Sequence, residues 1–163
     1  MQALEKALIT NIDSRVENEL GGESVGDINK LCEAIIVHSH ESKIETHLLL
    51  VGGNVRPEKQ GLTHKDVDLK LYSPDLASEI FMGGDCPKFD KFAAFVSDVG
   101  KSLGWGVEIE KPWFNDYEYC GDGKVTLYPS GKPIEVLPVR VDGIYSSFEE
   151  FLLKDTDPHL ALF

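Results

Sequence analysis

Two aspartates separated by one residue, Asp66 and Asp68, are the side chains of this sequence best suited to chemistry. They belong to the segment VGGNVRPEKQGLTHKDVDLKLY, residues 51–72, in which polar and apolar residues alternate after position 65. Because side chains alternate between the two faces of a strand, both aspartates and Lys70 are predicted to share one face, with the apolar residues turned toward a core. Paired carboxylates hold the metal ions of phosphoryl and nucleotidyl transfer, so this face is a candidate Mg²⁺ site.

A pair of glycines, Gly52 and Gly53, ends the short apolar run that precedes the aspartates. Glycine allows backbone N–H groups to approach an anion closely, and successive N–H groups in a turn form a concave anion site. The glycine turn followed by the two aspartates therefore predicts a site for a phosphate group and its metal.

A third carboxylate is needed to hold two metal ions, and Glu135 is the best candidate. It lies between Ile134 and Val136 in a run that is otherwise apolar. A carboxylate buried without a partner is costly, which favours a role as a ligand over an exposed position on an edge strand, although the exposed position stays open. Glu118 and Asp122 are the alternative third carboxylates.

The elements that would position these residues follow from apolar periodicity and turn residues. Helical spacing predicts helices over residues 4–20, 24–39, 88–103 and 147–154. Ser24 or Asp27 is the expected N-cap of the second helix, and a polar tail is expected after the last. Strand patterns are found over residues 47–51, 66–71, 107–110, 124–128 and 133–139, the last two joined as a hairpin by the turn residues 129–132. We predict a single α+β domain over residues 1–163, with a mixed sheet flanked by helices.

Composition narrows the classes of function. The chain has 163 residues, 42% of them hydrophobic, and a net charge of −12. The negative charge opposes extensive binding to a nucleic-acid backbone, and no run has the roughly 18 apolar residues of a membrane span. The first twenty residues lack the apolar core of a signal peptide, and the three cysteines have no metal-binding spacing, so a reduced protein of the cytoplasm is expected.

The segment from Leu48 to Leu71 resembles the nucleotidyltransferase superfamily that includes DNA polymerase beta. The family pattern is an apolar residue, two small residues, a spacer, and then an aspartate, an apolar residue, an acidic residue and an apolar residue. The sequence has Val51-Gly52-Gly53, twelve intervening residues, and Asp66-Val67-Asp68-Leu69. Arg56 stands where the smaller members carry an arginine. Pro57 and Lys65 depart from the glycine and serine common at those positions.

The resemblance implies the nucleotidyltransferase fold and transfer of a nucleoside monophosphate from a nucleoside triphosphate, most simply ATP, to a hydroxyl of a small molecule, a protein or an RNA end. By analogy, Asp66, Asp68 and Glu135 would bind two Mg²⁺ ions, and Gly52 and Gly53 would hold the triphosphate. Arg56 and Lys70 would contact phosphates. The alternative is a regulatory protein that keeps the fold without catalysis, such as an antitoxin-like partner. A homodimer or a protein partner is compatible with both, and the acceptor has no signature in the sequence.

Overall fold

Three helices and eight strands make up the described part of the chain. The computed structural model describes residues 20–51, 65–76, 87–115, 118–121, 123–139, 147–154 and 159–163. The helices are α1 (Gly22–Ser42), α2 (Pro87–Ser102) and α3 (Phe148–Lys154). The strands are β1 (His47–Val51), β2 (Val67–Tyr72), β3 (Gly106–Glu110), β4 (Trp113–Asn115), β5 (Glu118–Gly121), β6 (Lys124–Tyr128), β7 (Ile134–Pro138) and β8 (His159–Ala161).

Six of the strands form one mixed sheet in the order β3-β6-β7-β2-β1-β8, and β4 and β5 form a separate two-stranded ribbon. Strands β2 and β7 are parallel, whereas the other neighbours in the large sheet are antiparallel. The long connection between β2 and β7 contains α2, because parallel strands cannot be joined by a tight turn. This arrangement confirms the predicted α+β class with a mixed sheet and flanking helices.

One face of the sheet is apolar and is covered by α1 and α2. The alternating residues of β1, β2, β6 and β7 that point to this face are buried, and so is the inner side of α1. Gly100 lies where α2 contacts β6, and a Cβ at this position would be only 2.7 Å from Cδ2 of Leu127. The main apolar contributors are Ile28, Leu31, Ile35, Leu48, Leu50, Val67, Leu69, Phe89, Phe92, Val96, Val125, Leu127, Ile134 and Val136.

Among the residues that the structure describes, the short helix α3 covers part of the opposite face. Phe148 and Phe151 pack with Leu49 and Tyr72 in a second, smaller core, and the ring of His47 stacks on Phe148 with centroids 3.9 Å apart. This cluster lies over β1 and the end of β2. Away from this cluster, the same face of the sheet carries polar side chains. They lie at the start of β2 and on β7, β6 and β3.

Most predicted elements are confirmed to within a few residues, but the start of α1 was predicted wrongly. The helix begins at Gly22, and its N-cap, Gly21, has φ 87° and makes no side-chain cap. The two predicted caps, Ser24 and Asp27, are buried inside the helix. Asp27 instead accepts a 3.1 Å hydrogen bond from the backbone N–H of Gly131, so its carboxylate holds the β6–β7 turn against α1.

Three strands were not predicted from the sequence. β8 lies in the segment interpreted as a polar tail, and it pairs antiparallel with β1. β4 and β5 lie in a segment rich in aromatic residues, for which no strand was predicted. The predicted helix over residues 4–20 lies outside the described residues except for the buried Leu20. In the described part of the chain, no helix combines the length and the apolar composition that a membrane span requires.

Candidate functional site

The parallel pairing of β2 with β7 brings two of the predicted carboxylates together. In this register Asp68 lies directly opposite Glu135. Residues paired across neighbouring strands project to the same face, here the polar one. Sequence positions more than sixty residues apart thus become neighbours, which the separate strand patterns could not establish.

The two carboxyl groups interact strongly. The pKa of Asp68 is raised from 3.8 to about 6, first by burial of the half-buried side chain, then by its hydrogen bond with Glu135 and by the negative charges of Glu135 and Asp66. The positive charge of Lys124 opposes this rise. Two close carboxylates cannot both ionise easily, so the pair retains a proton in conditions where an isolated aspartate has lost it.

A lysine that sequence reasoning missed is part of the site. Nζ of Lys124, the first residue of β6, lies 2.7 Å from Oε1 of Glu135 and 3.9 Å from Oε2 of Glu110. The hydrogen bond to Glu135 is the main reason that the pKa of Lys124 is raised. Its position could have been inferred from the predicted hairpin. Lys124 and Thr126 are two residues apart and therefore lie on the same face of β6, the strand next to Glu135.

Lys124, Glu135 and Glu110 border a cavity of about 430 Å³ on the polar face of the sheet. Glu108 on β3 contributes to one wall, where it accepts a 2.8 Å hydrogen bond from the hydroxyl of Tyr128. The cavity is therefore mainly acidic, with one ammonium group beside Glu135. Its lining residues are Asp66, Glu108, Ile109, Glu110, Lys124, Thr126, Tyr128, Pro133 and Glu135.

The donor chemistry of Asp68 and Glu135 fits a hard divalent cation. Mg²⁺ is usually bound through one or two carboxylates together with phosphates, and a cation would replace the proton and relieve the repulsion between the two carboxylates. Asp66 lies one residue before β2 and lines the same cavity. Among the residues that the structure describes, no group of three or more histidine, cysteine, aspartate or glutamate side chains is arranged to hold a metal ion.

The other predicted site residues divide into two groups. Gly52, Gly53 and Arg56 lie outside the described residues. Lys70 is half-buried on β2, where it pairs with Leu137 of β7, one step along the polar face from Asp68. Of the two alternative carboxylates, Asp122 also lies outside the described residues. Glu118 is the first residue of β5, and its side chain is not described.

Comparison with known proteins gives little beyond this geometry. No protein-family model and no curated protein sequence matches the chain. A solved structure described as the complex of a CCA-adding enzyme with CTP superimposes with a TM-score of 0.42 and 15% sequence identity. The match covers 85% of this chain and 24% of that enzyme, so the chain spans about a quarter of its length. A similarity of this degree adds no argument about chemistry, which depends on the site itself.

Proposed function

We propose that this protein is a Mg²⁺-dependent nucleotidyltransferase that moves a nucleoside monophosphate from a nucleoside triphosphate, expected to be ATP, to an acceptor hydroxyl. The observation that supports it best is the pairing of Asp68 with Glu135 in the parallel register of β2 and β7. Glu135 of this pair lines a cavity of about 430 Å³ together with Asp66, and both members of the pair follow in sequence the glycine pair of the family-like motif.

Each candidate residue has a definite role in this proposal. Asp68 and Glu135 would hold Mg²⁺ as a pair of carboxylates, the ligands that Mg²⁺ prefers. Asp66 would complete the site by turning toward them, because the described residues do not already arrange three carboxylates around one ion. When bound, two such ions would supply neutralising charge for the triphosphate and lower the pKa of the acceptor hydroxyl. Backbone N–H groups of Gly52 and Gly53 would hold phosphate oxygens.

The remaining charged residues would orient the two substrates. Arg56 and Lys70 would contact the triphosphate, Lys70 because it continues the face of Asp68 along β2. The acidic wall with Glu108 and Glu110 would take the acceptor, and Tyr128 holds Glu108 in place by its hydrogen bond. The proposal requires no covalent enzyme intermediate.

A regulatory role without catalysis is the second candidate, and one specific contact favours it. Nζ of Lys124, at 2.7 Å from Oε1 of Glu135, already supplies positive charge to the third carboxylate. A site that is neutralised internally could be retained for structural reasons in a protein that binds a partner. Antitoxin-like proteins of this fold are the example that the sequence resemblance suggests.

Isothermal titration with ATP and Mg²⁺ tests the proposed function. We expect metal-dependent binding by the wild type, and we expect the double variant Asp66→Asn/Asp68→Asn to weaken it by more than about 100-fold, because the ligands of the metal are removed. Asp98→Asn, an exposed aspartate on α2, is the matched control and should bind like the wild type. Unchanged metal-dependent binding by the double variant would exclude the carboxylate assignment.

Transfer itself needs a separate measurement to distinguish the enzyme from the regulatory protein. The wild type is incubated with Mg²⁺, cell extract and ATP labelled in the α-phosphate. Label that becomes attached to an acceptor with the wild type but not with Asp66→Asn/Asp68→Asn supports catalysis. Binding of the triphosphate without any labelled product would favour the regulatory role.

A further inference from the structure

We infer that Lys124 is a positioning residue that neutralises Glu135 before a divalent cation binds and moves to Glu110 when the cation arrives. This inference rests on the proposed function, because it concerns the same metal site. Its basis is the position of one ammonium group between two carboxylates, 2.7 Å from Oε1 of Glu135 and 3.9 Å from Oε2 of Glu110.

The sheet fixes both partners on opposite sides of Lys124. Glu110 is paired with Lys124 across the β3–β6 ladder, and Glu135 lies on the other neighbouring strand, β7, opposite Thr126. A lysine ammonium is a point charge on a flexible stem, so it can move from one carboxylate to the other while the backbone stays in place. The side chain of Glu135 is 21% exposed and that of Glu110 is 60% exposed, so the second position is the more solvated one.

The charges make the movement necessary for tight metal binding. In the present arrangement Lys124 binds the carboxylate that the cation would also need, and a dication on Glu135 would repel the ammonium. If the lysine could only withdraw into solvent, metal binding would lose the whole ion pair with Glu135. Glu110 offers a second ion pair in exchange, which makes the exchange less costly.

A double-mutant cycle tests this exchange without using activity. In each variant, electron paramagnetic resonance measures the affinity for Mn²⁺ directly. We expect Lys124→Met to tighten Mn²⁺ binding by about tenfold, because the competing charge is removed. Glu110→Gln should weaken it by about threefold, because Lys124 loses its second partner. In the Lys124→Met background, Glu110→Gln should change the affinity by less than about twofold.

Two further variants separate this mechanism from general effects of charge or folding. Glu108→Gln removes a carboxylate from the same strand and the same cavity, but its partner is Tyr128, so Mn²⁺ affinity should change by less than about twofold. Lys124→Arg keeps the charge and can bind Glu135 through two N–H groups, so it should weaken Mn²⁺ binding. Opposite effects of methionine and arginine at one position cannot both result from loss of folded protein.

The outcomes divide clearly. Weaker binding by Lys124→Met, or an equal effect of Glu110→Gln in both backgrounds, overturns the role of Lys124 and leaves the proposed function standing, because the wild type still binds Mn²⁺. A wild type that binds no Mn²⁺ overturns the metal site and the exchange together. Coupling between positions 110 and 124, with the two signs given above, supports the inference.

Discussion

Replacing Asp68 by asparagine should stabilise the folded protein at neutral pH, although it removes a residue of the candidate site. Asp68 is half-buried next to Glu135, and its pKa is raised from 3.8 to about 6 by burial and by that neighbour. An asparagine has nearly the same shape and carries no charge to be desolvated. The cost of holding a carboxylate at this position should therefore be absent in the variant.

The sign of the pH dependence follows from the raised pKa. The unfolded chain releases the Asp68 proton near pH 4, whereas the folded protein keeps it until about pH 6. Between these values the folded state binds more protons, so the contribution of this group to stability falls as pH rises through that range and is fully lost above it. The stability difference between Asp68→Asn and the wild type should accordingly be near zero at about pH 4 and positive at about pH 7.

The size of the effect can be estimated from the same numbers. Raising a carboxyl pKa from 3.8 to about 6 corresponds to about 3 kcal/mol when it is fully expressed. Because Asp68 is only half-buried, water screens part of this interaction, and we expect a stabilisation of about 1 kcal/mol at pH 7.

Urea denaturation in the presence of a chelator, from about pH 4 to about pH 8, measures the difference. Asp98→Asn on the exposed side of α2 is the control for the loss of one carboxylate away from Glu135. A stability difference for Asp68→Asn that does not change with pH, or a variant that is less stable than the wild type at pH 7, would show that burial beside Glu135 does not destabilise the Asp68 carboxylate.

Two further predictions concern the framework around the site. Gly123 has φ 75°, and a Cβ there would lie 2.8 Å from the backbone nitrogen of Pro112. Gly123→Ala should therefore lower the free energy of unfolding by about 3 kcal/mol. A urea midpoint equal to that of the wild type would contradict the placement of the turn before Lys124. Burial raises the pKa of the Cys32 thiol and covers it almost completely. In the variant Cys86→Ser/Cys120→Ser, a maleimide should therefore modify Cys32 only when urea unfolds the protein, and rapid labelling without urea would show that α1 is not packed as described.

Local patterns in the sequence were sufficient for most of the individual elements. The alternation of polar and apolar residues between Asp66 and Leu71 predicted β2 and its two faces, because strand periodicity is a property of a few adjacent residues. The turn chemistry of residues 129–132 predicted the β6–β7 hairpin for the same reason. The roles of the candidate site residues, in contrast, remain predictions.

Errors occurred where a residue has a tertiary partner that its neighbours do not reveal. Asp27 was expected to cap a helix, but it is buried and binds the backbone of Gly131, far away in the sequence. The segment after α3 was predicted to be a polar tail, but it ends in apolar residues, and β8 forms there because β1 offers it an edge. In both places the packing of distant segments outweighs local preference.

Residue type and spacing were enough to indicate that two aspartates share a strand face after a glycine pair, and that an acidic residue interrupts a later apolar strand. The parallel position of β7 beside β2, with Glu135 opposite Asp68 and with Lys124 bound to Glu135, became known from the packed fold. The reason is physical: periodicity records which side of a strand is buried, whereas the order and register of strands depend on how all the apolar faces are covered together.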